Sequence, residues 1–251
     1  MNLNGKRILI TGGGSGIGLE LARRLAGANE VVIAGRDEAK LERARAQAPE
    51  LKTIRLDVTS ENEAQHVVKS VVGDLGGLDL LVNSAGVMSS YAFVSREAAV
   101  KSVEQVEVNL SGAIRMTRLA LPLFATSSEA GVVFMSSAVA LAAVPGFAVY
   151  GAPKAALHSL ARSLRAELES KRIRVFEVLP PLVDTDLAGS LDVPKIQPGV
   201  VVDALVAGLA RNREEIRVDR VKQLAPLARL VPRLADRIVQ RALQPRANGA
   251  N

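Results

Sequence analysis

Short apolar runs alternate with amphipathic stretches along most of the chain. A run such as KRILI at residues 6–10 or EVVIA at residues 30–34 is typical of a buried strand, and apolar residues at helical spacing follow. This alternation predicts a doubly wound parallel α/β sheet in a single domain spanning residues 1–251. The predicted strands cover residues 6–10, 30–34, 52–56, 78–82, 131–135 and 173–179, and the predicted helices cover residues 16–26, 37–48, 61–72, 100–120 and 150–169.

The composition agrees with this architecture and excludes several kinds of site. Apolar residues make up 48% of the 251 residues, but aromatic residues only 3%, so the core must consist of Leu, Val, Ile and Ala. The chain has no Cys, which excludes disulfides, thiolate metal sites and a cysteine nucleophile. Its two histidines, His66 and His158, lie far apart in sequence, so we expect no metal site.

No apolar run approaches the ~20 residues that a membrane span requires. The opening MNLNGKRILITGGG passes directly from a polar lead into the first strand and leaves no room for a signal peptide. We therefore expect a cytoplasmic protein.

The net charge of +6 is concentrated near the C-terminus. Residues 211–246 hold ten Arg and Lys against four Asp and Glu, so the rest of the chain has equal numbers of positive and negative charges. We find no helix-turn-helix, zinc spacing or aromatic platform there, and we expect no nucleic-acid partner.

The same basic tail, predicted as helical over about residues 211–246, raises the question of a membrane. Arg233, Arg237 and Arg241 repeat at i+4, with Leu234 and Ile238 on another face, and such a helix is able to lie on an anionic membrane. We expect a solvated or subunit-contacting helix instead of a membrane partner. Two prolines also interrupt any long helix, at Pro226 and Pro232.

A glycine-rich turn, TGGGSGIG at residues 11–18, joins the first strand to the first helix. Glycines permit a tight turn and let a pyrophosphate approach the backbone, while the helix N-terminus supplies amide donors. A flexible loop is the alternative, but the position between a first strand and a first helix favours dinucleotide binding. The candidate cofactor residues are Gly12, Gly14, Ser15, Gly16, Ile17 and Gly18.

The residues that end the second strand indicate which dinucleotide is bound. An acidic residue there would bind the ribose 2′-hydroxyl of NAD, but this chain has Arg36, whose guanidinium pairs with a 2′-phosphate. NADP(H) is therefore favoured, and NAD(H) is the alternative if Arg36 only faces solvent. The neighbouring Asp37 weakens the case slightly.

Polar and small residues follow the third and fourth strands, where this topology puts the adenine and ribose. An ordinary Asx turn after each strand is the alternative interpretation. The candidates are Asp57, Val58, Asn83, Ala85 and Gly86.

Tyr150 and Lys154 are spaced i and i+4, so both point the same way in a helix. An ammonium near a phenol stabilises the phenolate, so the pair could exchange a proton with a carbonyl or alcohol oxygen. Pro153 is tolerable if the helix starts within a turn of Tyr150. Taken alone, this spacing carries almost no weight.

Other motifs in the chain make a catalytic role for this pair more plausible. TGGGSGIG, NSAG, Asn109, Ser137 and the Tyr150–Lys154 pair follow one another in an order and spacing that resemble the short-chain dehydrogenase/reductase family, over about residues 6–187. NSAG departs from the usual double asparagine at Ser84. More narrowly, ITGGGSGIGLELA, AGRD and LPPLVDTDL look like a branch named for D-alanyl–teichoic-acid gene clusters, a label that carries no substrate.

The resemblance implies a Rossmann-like fold and four catalytic residues. Tyr150 would be the general acid in reduction, and Ser137 would hydrogen-bond the substrate oxygen. Lys154 would bind the nicotinamide ribose and lower the pKa of the tyrosine, and Asn109 would hold a water of a proton relay. His158 continues the i+4 series, and we expect a buried or interface histidine there in preference to a relay member.

The resemblance further implies a segment that holds the carboxamide of the cofactor, through Pro180, Val183 and Thr185. Pro181 stands where the family commonly has Gly, which leaves the local backbone open. Residues of about 186–200 could form a substrate lid. Family members usually form homodimers or homotetramers.

Together these features predict an NADP-dependent oxidoreductase that reduces a ketone or aldehyde, or runs the reverse reaction, on a small-molecule substrate. The alternatives are an NAD-preferring alcohol dehydrogenase, an NADP-binding sensor or scaffold without turnover, and a membrane-associated protein acting through its tail. The complete set of four catalytic candidates argues against a sensor.

Overall fold

The sheet is parallel and has seven strands in the described part of the chain. The computed structural model describes residues 1–189 and 191–243, and at Ala99 only the backbone. The strands are β1 (Arg7–Thr11), β2 (Glu30–Gly35), β3 (Lys52–Arg55), β4 (Leu80–Asn83), β5 (Ala130–Met135), β6 (Ile173–Leu179) and β7 (Glu215–Arg217). Their order is β3-β2-β1-β4-β5-β6-β7. The six predicted strands are confirmed, each end within two residues.

Helices cover both faces of this sheet. They are α1 (Gly16–Ala26), α2 (Glu38–Gln47), α3 (Glu61–Leu75), α4 (Arg96–Val106), α5 (Gly112–Ala120), α6 (Ala148–Leu168), α7 (Pro198–Ala210), α8 (Val221–Leu230) and α9 (Pro232–Ala242). On one face α1, α2 and α7 pack against Ile8 and Ile10, and on the other face α3, α5 and α6 pack against Leu9. The predicted doubly wound, Rossmann-like α/β fold is therefore confirmed.

Local signals in the sequence set the ends of several helices. The carboxylate of Asp37 accepts a hydrogen bond from the amide of Lys40 at 3.0 Å and caps α2. The hydroxyl of Ser60 does the same for the amide of Glu63 at the start of α3. Gly76, with a φ of 71°, ends α3 in the left-handed conformation that glycine adopts without strain.

The predicted helix over residues 100–120 is interrupted. α4 passes into a π-helical turn, Glu107–Ser111, before α5 begins. The side-chain amide of Asn109 in this turn is bound to the backbone of Val87, and Gly112 packs so closely on Val58 that a Cβ there would lie 2.7 Å from a methyl carbon. Such wide turns often lie at functional sites.

Two elements after β6 were not predicted. Pro198 begins α7 at a position where a missing amide hydrogen has no consequence, so residues 198–200 of the predicted lid are helical, and a lid in the preceding residues stays a prediction. β7 pairs with β6 through only three residues.

The predicted basic tail is partly folded as a helical hairpin, α8 and α9. Pro226 lies inside α8 and does not end it, whereas Pro232 begins α9. Residues 244–246 of the tail and Ser190 of the predicted lid lie outside the described residues. None of the helices described is long and apolar enough to cross a membrane.

The topology fixes where a ligand would bind. β1 lies between β2 and β4, so the chain leaves the middle of the sheet in opposite directions from this point. In open parallel sheets the crevice beyond the carboxyl ends of the strands at such a reversal is the usual ligand site.

Candidate functional site

The glycine turn between β1 and α1 forms the floor of this crevice. Gly12 and Gly16 have φ values of 68° and 54°, in the left-handed region. A Cβ at Gly12 would lie 2.7 Å from the backbone of Ala85, and one at Gly18 would collide with the carbonyl oxygen of Gly12. These positions need glycine because the loops after β1 and β4 touch there.

Two cavities open from this floor. The larger has a volume of about 810 Å³, the smaller about 270 Å³, and Gly12, Ser15 and Gly86 line both. The N-terminus of α1, with its unbonded first amides, lies at the boundary. The two cavities are thus the two arms of one cleft.

The smaller arm contains the predicted adenosine-side residues Arg36, Asp57 and Val58. Arg36 is 58% exposed, and its guanidinium lies 3.4 Å from a carboxylate oxygen of Glu104. Burial pushes the pKa of Asp57 upward, but hydrogen bonds from Thr59 and the charge of Arg36 outweigh it, so the pKa lies below its ordinary value. Asp57 is therefore ionised at neutral pH.

Lys40, which sequence reasoning missed, also lines the smaller arm. Its Cβ lies 3.2 Å from the place where a Gly14 side chain would begin, and its ammonium lies 2.6 Å from a carboxylate oxygen of Asp186. The signal was in the sequence, because a lysine four residues after Arg36 falls in the first turn of α2.

Ser137, Tyr150 and Lys154 lie together in the larger arm. Ser137 follows β5, and the other two lie on α6. The ammonium of Lys154 donates to the carbonyl oxygen of Met135 at 2.8 Å and lies 5.7 Å from the centroid of the Tyr150 ring. The hydroxyl of Ser136 donates to the carbonyl oxygen of Lys154 at 3.1 Å, which ties the end of β5 to α6.

Burial controls the titration of the tyrosine and the lysine. It raises the pKa of Tyr150 to about 12, against a smaller opposing effect of the Ser137 hydroxyl, and it lowers the pKa of Lys154 to about 8. The expected lowering of the tyrosine pKa by Lys154 is not seen. The ammonium lies over the ring face at a distance and donates its hydrogen bond to a backbone carbonyl, not to the phenol oxygen. The removal of both groups from water is therefore the main influence on both pKa values.

Asn109 lies behind these residues and does not line either cavity. Its side chain donates to the carbonyl oxygen of Val87 at 2.8 Å and accepts from the amide of Val87 at 3.1 Å. A Cβ at Gly86 would lie 2.8 Å from the Asn109 oxygen and 3.9 Å from the Lys154 nitrogen. Asn109 thus adjoins Lys154, and its role in a water relay stays a prediction.

Asn83 is the predicted cofactor residue that the structure keeps away from the cleft. It is 5% exposed, and its side chain donates to the hydroxyl of Thr117 at 3.1 Å on α5. The loop after β4 is held by Thr11, whose hydroxyl accepts from the amides of Ser84 and Ala85, each at 3.2 Å.

The segment after β6 closes the cleft against the glycine turn. The carbonyl oxygen of Pro180 accepts from the amide of Ala138 at 2.8 Å, and Val183 bridges to Ile196. A methyl carbon of Thr185 lies 3.0 Å from the place of a Gly16 side chain. Pro180, Val183 and Thr185 all line the larger arm, and their part in holding the carboxamide of the cofactor stays a prediction.

Comparison with known proteins decides the family. A family model described as short chain dehydrogenase matches residues 6–195. The chain belongs to the short-chain dehydrogenase family.

Two of its curated relatives are named as uncharacterized oxidoreductases. The uncharacterized oxidoreductase DltE of Bacillus subtilis is 33% identical over 237 residues, which cover 91% of this chain and 94% of that protein. An uncharacterized oxidoreductase of Staphylococcus saprophyticus is 32% identical over 219 residues, 83% of this chain and 93% of its own length.

Solved structures agree with the fold of this short-chain dehydrogenase. A 3-ketoacyl-(acyl-carrier-protein) reductase from Brucella melitensis, complexed with NADH, has a TM-score of 0.78 and 28% identity and covers 87% of this chain and 98% of its own. A short chain dehydrogenase from Burkholderia cenocepacia, in complex with NADP, has a TM-score of 0.84 and covers 98% of this chain and 100% of its own. At 24% identity the latter shows the fold alone.

In this short-chain dehydrogenase the outer wall of the larger arm, which α8 and α9 supply, was missed by sequence reasoning; its residues are Leu224, Leu227, Ile238, Val239 and Leu243. Met88, Val139 and Phe147, which the sequence pointed to as pocket residues, also line this arm. Two side chains of α9 hold the hairpin to the loop after Ser137, because Asp236 accepts from the amide of Ala143 at 2.8 Å and Gln240 donates to its carbonyl oxygen at 2.9 Å.

His158 points away from the reaction site. Its Nδ1 lies 2.7 Å from a carboxylate oxygen of Glu177, which is fully buried on β6, and the hydrogen bond that this carboxylate accepts raises the pKa of the histidine. The pair joins α6 to β6, as expected of a partly buried structural histidine.

Proposed function

We propose that the protein reduces a ketone or an aldehyde with NADPH, or catalyses the reverse alcohol oxidation. The observation that carries the proposal is that Ser137, Tyr150 and Lys154 line the same arm of a cleft whose floor is the glycine turn. An oxidoreductase family and a positioned hydroxyl, phenol and ammonium together support carbonyl chemistry.

A nicotinamide dinucleotide fits the residues of this cleft. The two arms meet at Gly12, Ser15 and Gly86, which suits a ligand with two nucleosides joined by a pyrophosphate. Gly12, Gly14 and Gly16 line this cleft without side chains, so the backbone of the turn is open to a pyrophosphate. When bound, the cofactor supplies or accepts a hydride.

The residues of the larger arm would handle the proton. Because burial holds the pKa of Tyr150 near 12, its phenol carries a proton at neutral pH and is able to donate it to the oxygen of a carbonyl. Ser137 would fix that oxygen by a hydrogen bond. Lys154, held by the Met135 carbonyl beside Tyr150, would bind the ribose and stabilise the phenolate left after transfer.

Preference for NADP(H) is supported by the smaller arm. Arg36 and Lys40 bring two positive charges to the place where a 2′-phosphate would lie. One carboxylate oxygen of Asp37 accepts from the amide of Lys40 as the cap of α2, so this side chain is held at the start of the helix. The ion pair of Arg36 with Glu104 favours the alternative, an NAD-preferring enzyme.

The experiment is a separate titration of NADPH and NADH, followed by absorbance loss with a panel of ketones. The chain has no Trp, so nicotinamide fluorescence is read with little protein background. We expect tighter binding of NADPH and turnover of at least one ketone. Binding without turnover on the whole panel would favour a sensor, and no binding of either cofactor would overturn the proposal.

Arg36→Asp tests the selectivity. Loss of a charge-assisted hydrogen bond and gain of a carboxylate should shift the ratio of kcat/KM values from NADPH toward NADH by about tenfold or more. Arg45→Asp, at an exposed position in the last turn of α2, is the matched control and should leave the ratio unchanged. An unchanged ratio in Arg36→Asp would remove Arg36 from the selectivity argument.

A further inference from the structure

The helical hairpin α8–α9 carries large apolar side chains on its outer surface. Leu230 is 79% exposed, Val231 47%, Leu234 37% and Ile238 45%. We call these four side chains the hairpin face. Leu234 and Ile238 are spaced i and i+4 and share one side of α9, while Leu230 and Val231 lie at the junction between α8 and α9, so the four form a stripe around this junction and are not scattered along the chain.

A row of arginines runs beside this stripe. Arg229, Arg233 and Arg237 directly precede Leu230, Leu234 and Ile238, and Arg241 follows one turn later on α9; all four are exposed. The one acidic residue of α9, Asp236, is turned inward and bound to the amide of Ala143. The outer side of the hairpin is therefore apolar and cationic, with no carboxylate of α9 to neutralise it.

Two occupants from the chain itself do not suit this surface. The last eight residues, 244–251, read QPRANGAN and contain no large apolar side chain with which to cover the stripe. A second copy packed by twofold symmetry would place one row of arginines against its equivalent, which is a repulsive arrangement.

The hairpin face is continuous with the substrate side of the cleft. Ile238 is exposed on the outer surface and also lines the larger arm, and Val239 and Leu243 beside it line the same arm. An apolar path thus runs from the outside of the hairpin to the cavity that holds Tyr150.

We propose that the hairpin face docks on an anionic lipid surface. The apolar stripe would lie in the boundary between headgroups and acyl chains, and the arginines would pair with lipid phosphates. The sequence alone favoured a solvated or subunit-contacting helix, because it does not show that Leu230 and Leu234 stay exposed when the hairpin packs. On the proposed function, which this extension requires, the substrate is a lipid-soluble carbonyl compound that reaches the cavity past Ile238.

Co-sedimentation with vesicles tests the docking without any turnover. The full chain is mixed with vesicles of phosphatidylcholine alone, and with vesicles of phosphatidylcholine and phosphatidylglycerol in equal amounts. We expect binding to the anionic vesicles that weakens as salt is added. Arg233→Glu with Arg237→Glu should lower the affinity by about thirtyfold or more, and Leu230→Ser with Leu234→Ser should also lower it severalfold.

Matched doubles elsewhere on the chain are the controls. Arg45→Glu with Arg211→Glu changes charge equally, and Val100→Ser with Val103→Ser removes exposed apolar side chains from α4. Both should bind like the parent. The lipid assignment would be overturned if the parent does not bind, or if the hairpin doubles bind as well as the parent. It would also be overturned if only the arginine double loses binding and the parent binds heparin, a soluble polyanion, equally well. Circular dichroism identifies any variant that fails to fold.

A second arm separates docking from the reaction. Rates on a long-chain methyl ketone in anionic vesicles are compared with rates on a small water-soluble ketone. Arg233→Glu with Arg237→Glu should lower the first rate and leave the second unchanged. Equal rates of parent and variant in anionic vesicles would overturn delivery from the lipid, whereas no turnover of either ketone by the parent would refute the proposed function and leave the vesicle binding standing.

Discussion

Lys154 carries an ammonium that folding removes from water. The residue is 5% exposed, and its nitrogen has a hydrogen bond to the Met135 carbonyl. The fall of its pKa from 10.5 to about 8 corresponds to about 3 kcal/mol of folding free energy at neutral pH. A structural role alone would not justify this cost, and we infer that it is retained for the reaction.

Replacement of this lysine by an apolar residue should therefore stabilise the protein while removing its activity. In Lys154→Met the burial cost of about 3 kcal/mol disappears, and the lost hydrogen bond to Met135 offsets about 1 kcal/mol of the gain. We expect a higher urea midpoint at neutral pH and no turnover.

The pH dependence of this gain has a definite sign. Because the folded pKa lies below the unfolded one, the burial cost is fully present below pH 8 and fades as the pH rises toward 10.5. The difference in midpoint between the two proteins should shrink over that range. Lys101→Met, at an exposed lysine, should show no such gain, and a lower midpoint for Lys154→Met at neutral pH would refute the account.

At the scale of elements, an ion pair spans the glycine turn. The ammonium of Lys40 on α2 and a carboxylate oxygen of Asp186, in the 3-10 turn Asp186–Ala188, are 2.6 Å apart. The Cβ of Lys40 lies against Gly14, and the side chain of Thr185, next to Asp186, lies against Gly16. On the proposed function, Asp186 would compete with a cofactor 2′-phosphate for the ammonium of Lys40. The cleft wall after β6 is linked to the adenosine side by this contact.

Asp186→Asn should improve the binding of NADPH but not that of NADH. The neutral amide no longer competes for Lys40, and since the pair is exposed the effect should be at most about fivefold. Dissociation constants for both cofactors, read by nicotinamide fluorescence, measure it. Asp184→Asn, at an exposed carboxylate bound to Gln197, is the control; an equal change for NADPH and NADH would contradict the competition.

The elements most visible in the sequence were the buried parallel strands. Their runs of Leu, Val and Ile are continuous because helices cover both faces, so six strands were predicted within two residues at each end. β7 is only three residues long, which is too short to show the alternation of a strand. α7 is apolar on nearly every side, with the sequence PGVVVDALVAGLA, so it lacks the 3.6-residue hydrophobic period of an amphipathic helix.

At the scale of the whole molecule, the sequence predicted which residues belong to the candidate site better than it predicted where their side chains lie. The resemblance to the family grouped Ser137 with Tyr150 and Lys154, and the structure brings the three into one cavity. Asn83 is instead turned toward Thr117, because which face a side chain takes after a strand depends on the packing of α5. The wall that α8 and α9 add to the larger arm depends on contacts between segments far apart in sequence. Local sequence patterns do not indicate such contacts.

The central claim, that Tyr150 donates the proton in an NADPH-dependent reduction, is tested most directly by the two tyrosines of the chain. NADPH oxidation with a ketone and NADPH binding are measured for Tyr150→Phe and for Tyr91→Phe, whose hydroxyl is bound to Ser102 and Gln105. We predict that Tyr150→Phe loses turnover by on the order of a hundredfold to ten-thousandfold while binding NADPH like the parent, and that Tyr91→Phe retains both. Near-parental turnover in Tyr150→Phe would contradict the account.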